Sequence, residues 1–150
     1  MKLRGFELIS AYKDKDIIIP TRKTQYSAGY DIAAAEDIIV HPNSLSIVPT
    51  GIKAYMQPDE YLGIHIRSGL SIKNKLSLIN SQGIIDADYY NNSENEGHIL
   101  IAIYNHNLQE IVINKGVRIA QGIFYKYLLT DIDDHDIFSI RKGGLGSTGN

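Results

Sequence analysis

The densest run of residues able to do acid–base work is NSQGIIDADYY, residues 80–90. Asn80 carries both a donor and an acceptor. Gly83, Ile84 and Ile85 then lead to Asp86, with Asp88 and Tyr89 close behind. A strand emerging into a turn at Asp86 would present a carboxylate able to take a proton from water. The same run also describes an ordinary β-hairpin with acidic turn residues. A second run, RSGLS at 67–71, joins the forked donors of Arg67, which suit phosphate, to the hydroxyl of Ser68. The N–H groups of Gly69 and Leu70 could open a short helix, a ready anion site. A plain helix capped by Ser68 fits as well.

Three further runs are equivocal alone. AGYDIAA, residues 28–34, sets Asp31 among small apolar residues where a strand should start, although aspartates close many turns. In RIAQGIF, residues 118–124, Arg118, Ala120 and Gly122 would share one face of a strand. Ile119, Gln121 and Phe124 do not all share the other, so Gln121 can lie on a buried or site-facing side. RKGGLGSTG, residues 141–149, has consecutive glycines whose N–H groups can converge on phosphate oxygens, plus Arg141, Ser147 and Thr148. It lacks the Lys-Ser/Thr ending of a P-loop, and a mobile tail is the plainer account.

The elements that must position these residues are short. Residues 17–19, 38–40, 45–48, 61–66, 99–104, 109–113 and 119–129 read as strands, rich in Ile, Val and Tyr. Both faces of 98–104 are apolar, which predicts a strand covered on both sides, whereas 109–115 has the polar framing of an edge. No long window keeps a helical period; one or two turns at 69–75 are the best candidate. The expectation is one all-β domain, a sandwich or jelly roll.

The 150 residues fit a single domain, and 43% hydrophobic residues argue for a packed core over disorder. A net charge of -2 gives no field to draw in nucleic acid or an anionic membrane, so any anionic ligand must be held by a few placed groups. With no cysteine, disulfides and thiolate metal sites are excluded, which suits a reducing cytoplasm, the expected location. No signal peptide or 18-residue apolar span is read.

AGYD, RSGL, GIIDADY, RIAQ and RKGGLGSTG, in that order from residue 28 to 149, resemble the five motifs of the trimeric dUTP diphosphatase family. The resemblance implies a jelly-roll-like β-barrel over 1–140, a glycine-rich lid at 141–150, and a threefold homotrimer. In such trimers each site draws motifs from two subunits and is closed by the tail of the third. It implies magnesium-assisted hydrolysis of dUTP to dUMP and pyrophosphate, which keeps uracil out of DNA and supplies dUMP for thymidylate synthesis. By position, Asp86 matches the general base acting on water, and Asn80 the residue that hydrogen-bonds uracil. The backbone of Gly83, Ile84, Ile85 and Asp86 matches the strand that pairs with the rest of the base. Tyr89 matches the ring against deoxyribose that blocks a 2′-hydroxyl. Arg67, Ser68, Gly69 and Gln121 match phosphate contacts, and Arg141, Gly146 and Ser147 the tail residues around the γ-phosphate. Asp31 matches an aspartate that meets Mg2+ through water only, and Arg118 reads as structural.

Two departures stand out. Leu145 replaces the phenylalanine most relatives stack over uracil, and YNNSENEG at 90–97 replaces a short turn. The longer loop is the one feature that invites a second reading, a regulatory protein partner beside catalysis. A deaminase acting on dCTP shares the barrel but lacks this tail motif.

Overall fold

The computed structural model describes residues 1–133, 140, 141 and 143–145. Eleven strands and one short helix follow in order: β1 (Gly5–Leu8), β2 (Tyr30–Ala33), β3 (Ile38–Val40), β4 (Leu45–Pro49), β5 (Ile52–Tyr55), β6 (Glu60–Ile66), α1 (Ser68–Asn74), β7 (Leu76–Leu78), β8 (Gly83–Asp86), β9 (Leu100–Asn105), β10 (Ile111–Ile113) and β11 (Arg118–Lys126). All ladders are antiparallel. The largest sheet has the order β2-β11-β6-β8, another the order β4-β9-β7, and two strand pairs, β1-β5 and β10-β3, complete the jelly-roll-like sandwich.

Inward residues of these sheets meet in one core that includes Ile32, Val48, Leu62, Ile101, Ile103 and Ile119. Each is at most 2% exposed, and burying such a side chain contributes roughly 1.5–3 kcal/mol. Buried polar groups are satisfied. Asn105 donates to the carbonyls of Val40 and Gln109, and the Thr50 hydroxyl donates to the Ile99 carbonyl at 2.6 Å. Glu60, at the start of β6, accepts from Arg4 Nε and Nη2, which fastens the N-terminal segment to the sheet that carries the site.

Several sequence expectations are corrected. Residues 17–19 form no strand; the nearby bridge joins Thr21 to Asp31. β9 is fully buried on one face, at Ile101, Ile103 and Asn105, and half-buried on the other, at Leu100, Ala102 and Tyr104. β11 ends at Lys126 rather than 129. The helix starts at Ser68 itself; Arg67 holds the cap position and no side chain caps it. Its other end is set by Lys75 in the left-handed region at φ 50°, a conformation that stops a helix. The broken alternation of RIAQGIF has a physical cause, a β-bulge between Arg118 and Ala120. It buries Ile119 and Ala120 in succession and leaves Gln121 on the outer face.

Candidate active site

Among the described residues the edge strand β8 pairs only with β6, in the register Gly83↔Ile64 to Asp86↔Tyr61. Across from its free edge runs β9. The β7–β9 ladder reaches Leu78↔Ile103, and Ile79 N–H still donates to the Ala102 carbonyl. Beyond that point, toward Leu100, this edge of β9 has no ladder partner among the described residues. A cavity of about 90 Å³ opens there, lined by Ile84, Ile85, Asp86, Tyr89, Leu100 and Arg141, with Gly144 and Leu145 at its mouth. Two bare strand edges facing each other can pair with a flat heterocycle that has donors and acceptors in its plane. Asn80 lies in the turn before β8, its amide nitrogen near Gly83.

Asp86 ends β8 and is half-exposed, so its carboxylate is open to water. Its partner is the tail of its own chain. Arg141 Nη2 donates to Asp86 Oδ2 at 2.5 Å and Arg141 Nε donates to Asp88 Oδ1 at 2.7 Å. The backbone at Gly144 lies so close to the Tyr89 ring that a Cβ there would come within 2.7 Å of it. Leu145 sits beside this contact, 83% exposed, and covers the cavity without filling it. The tail therefore reaches the cavity within one chain, where the family resemblance supplies it from another subunit. Gly146 and Ser147 lie outside the described residues.

Tyr89 is 7% exposed and held at both ends. Its hydroxyl donates to the His98 carbonyl at 2.6 Å and accepts from Asn95 Nδ2 at 2.8 Å. Burial raises the pKa of this phenol, so it remains a neutral donor. Asn95 comes from the long loop at 90–97. Asn92 Oδ1 accepts from the N–H groups of Glu94 and Asn95, and Asn92 Nδ2 donates to the Tyr89 carbonyl. Lys53 Nζ donates to Asn91 Oδ1 and Glu96 Oε2 and ties the loop to β5. The insertion thus folds inward and buttresses Tyr89. Sequence reasoning missed Asn95 and Gly144 in this role; the nearest signal was the density of Asn in 91–95, since Asn side chains bond local backbone.

Asp31, Gln121 and His65 form one row across the outer face of the large sheet, through the registers Gln121↔Asp31 and Gln121↔His65. The Asp31 carboxylate, 15% exposed, lies 3.3 Å from Arg118 Nη1 and 3.8 Å from Arg67 Nε. Arg118 is thereby a partner of Asp31, while Arg67 keeps donors to spare at the entrance to α1. Ser68 and Gly69 start that helix, and open space surrounds the Gly69 Cα.

These two groups do not meet in one chain. Asp86 pairs with Tyr61, at one end of β6, and Arg67 follows the other end. Six residues of strand separate those positions by about 20 Å at roughly 3.3 Å per residue. Asp86, Tyr89 and Arg141 form one half-site; Asp31, Arg67, Ser68 and Gln121 form another.

A family profile for dUTPase matches residues 15–149. The deoxyuridine 5′-triphosphate nucleotidohydrolase of Lactococcus lactis is 49% identical over 149 residues, 99% of each chain. The crystal structure of a dUTPase from Streptococcus mutans superposes with a TM-score of 0.81 at 46% identity, covering 85% of this chain and 98% of that one. A dUTPase of phage phi11 of Staphylococcus aureus, whose structure details the coordination of a structural Mg(II) ion, shares the fold with a TM-score of 0.73 at 20% identity, covering 91% of this chain and 99% of that one. A free strand edge ending in a solvent-open aspartate, and a profile match over nine-tenths of the length, lead to one conclusion: the chain belongs to the dUTPase family.

Proposed function

We propose that the chain hydrolyses dUTP to dUMP and pyrophosphate in sites built between the subunits of a homotrimer. Asp86 acts as general base on the attacking water. The observation that carries this reading is the separation of the two half-sites, about 20 Å along β6. A second subunit supplies what the first cannot, and symmetric oligomers form such sites routinely. In this reading the base enters the cavity between β8 and β9. Main-chain groups of Gly83, Ile84 and Ile85 and the amide of Asn80 pair with its edge. The sugar rests on Tyr89, whose ring leaves no room for a 2′-hydroxyl. Arg67, Ser68, Gly69 and Gln121 of a neighbouring subunit hold the phosphates.

Residues 141–150 act as a lid on the barrel of residues 1–140. Arg141, Gly146 and Ser147 wrap the γ-phosphate, and Leu145 covers the base. Lid closure removes water and strengthens each charge–charge contact inside.

Among the described residues no group of three or more His, Asp or Glu gathers as a metal cage. Asp31 is already opposed by two arginines. This donor set fits Mg2+ carried by the triphosphate and met by Asp31 through water. When bound, the ion would offset phosphate charge and polarise the phosphorus–oxygen bonds. Water attacks the α-phosphorus, Asp86 takes its proton, and pyrophosphate leaves. No helix among the described residues is long and apolar enough to cross a membrane.

The test is a pyrophosphate-release assay across all nucleoside triphosphates, combined with light scattering. Selective release from dUTP by a particle of three chains is expected. A monomer of 16.7 kDa that turns over dUTP at full rate would overturn the shared-site reading.

A further inference from the structure

We infer that His65 and Gln82 form a clamp that positions the turn carrying Asn80, and so set selectivity for the base without taking part in the chemistry. The inference rests on the proposed reading of Asn80 as a base contact. Ser81 occupies the left-handed region at φ 62°, and Gln82 N–H donates back to the Asn80 carbonyl at 2.7 Å. A non-glycine residue at positive φ is held there only by its surroundings. The surroundings are visible. The Gln82 side chain turns back over β6, and its amide nitrogen lies 3.3 Å from His65 Nε2. His65 Nε2 in turn lies 3.1 Å from the Tyr125 hydroxyl on β11.

The Gln82 amide nitrogen and the Tyr125 hydroxyl thus converge on one ring nitrogen, which links the turn to β11 through the imidazole. Gly63 makes the crossing possible. A Cβ at that position would fall 2.5 Å from Gln82 Nε2 and 2.7 Å from Tyr125 Cε2. Two strands thereby hold the turn through Gln82: β11 through Tyr125, and β6 through His65 and Gly63. Asp86 is at the far end of β8, held independently by the ladder to Tyr61. A loosened turn should therefore alter base binding and leave proton abstraction alone.

The experiment is steady-state kinetics on dUTP and dCTP with the full chain. Gln82→Ala and His65→Leu are each expected to raise KM for dUTP roughly three- to tenfold, the scale of one neutral hydrogen bond. Both should lower the preference for dUTP over dCTP, with kcat within about twofold of the parent. The double variant should be no worse than the weaker single, as for one shared interaction. His65→Gln, which returns an acceptor near the Nε2 position, should restore KM. Gly63→Ala, which crowds both the Gln82 amide and the Tyr125 ring, should lower the dUTP preference at least as much as Gln82→Ala. A fall in kcat at unchanged KM, or effects that multiply in the double variant, would overturn the clamp. Asn80→Ala separates the two levels. Unchanged selectivity in that variant removes the base-contact role and the inference with it. Lost selectivity in Asn80→Ala with none lost in Gln82→Ala removes the clamp alone.

Discussion

Replacing Asp86 by asparagine keeps the side-chain shape and removes the proton acceptor. Two losses then compete, and their sizes differ enough to be told apart. A general base typically contributes 10²–10⁴-fold, about 3–5 kcal/mol on the barrier. The substitution also weakens the pair with Arg141, whose partners Asp86 and Asp88 have side chains 50% and 60% exposed. Pairs that open to solvent are worth about 0.2–1 kcal/mol, at most roughly a fivefold effect. Asp88→Asn serves as the control, since Asp88 shares the same guanidinium at 2.7 Å but is not assigned the water. In pyrophosphate-release assays, Asp86→Asn is expected to lower kcat at least a hundredfold with KM within about fivefold. Asp88→Asn should cost no more than about fivefold in either constant. Equal losses in the two variants would show that Asp86 matters through the tail and not through the water. Retention of more than about a tenth of the parent kcat in Asp86→Asn would refute the base outright.

Tyr89→Ala should admit UTP; the measurement is the ratio of kcat/KM for dUTP and UTP, which should fall by at least tenfold, about 1.4 kcal/mol of discrimination. Asn95→Leu removes one of the two hydroxyl partners of Tyr89 and should give a smaller fall in the same ratio, roughly two- to fivefold, on the scale of one hydrogen bond. Deleting residues 141–150 should leave the melting temperature within a few degrees, because none of the described residues among them belongs to the barrel core, while slowing dUTP hydrolysis at least about tenfold, as expected for a lid. His98 supplies a pH dependence. Burial lowers its pKa from 6.5, and its Nε2 accepts from Gly51 N–H, so the folded state prefers the neutral ring. The contribution is fully present above pH 6.5 and is lost as pH falls below that value toward the lower folded pKa. Chemical denaturation between pH 7.5 and 5.5 should show this loss, and His98→Gln should flatten it.

The sequence makes much of the site legible because order and spacing survive where single segments are ambiguous. Asp86 at the exit of a strand, Tyr89 three residues on and Arg67 at the mouth of a short helix are where local pattern puts them. What escapes is what depends on partners distant in the chain. Residues 17–19 have strand composition, yet the chain there joins the outer edge of β2 only through the single bridge from Thr21 to Asp31. The short strands β1 and β5 support each other and little in their own letters announces either. His65 looks like an ordinary strand residue until β8 and β11 bring Gln82 and Tyr125 to it. The bulge after Arg118 is half-legible: broken alternation signals that something interrupts the pleat, but not which residue is extra.

In the proposed reading, the edge of β8 offers main-chain atoms to the base at the cavity it shares with Leu100 of β9. A recognition surface made of peptide groups cannot be edited by ordinary point substitution, since every residue except proline offers the same N–H and C=O. Ile84, 59% exposed, can therefore drift among extended-favouring residues with the base contact kept, while proline at position 84 or 85 would delete a donor outright. The corollary is pharmacological. A compound that docks by mimicking a strand in that cavity has few single-residue routes of escape, and resistance would have to arise in the side chains around it, at Tyr89, Asn80 or the tail.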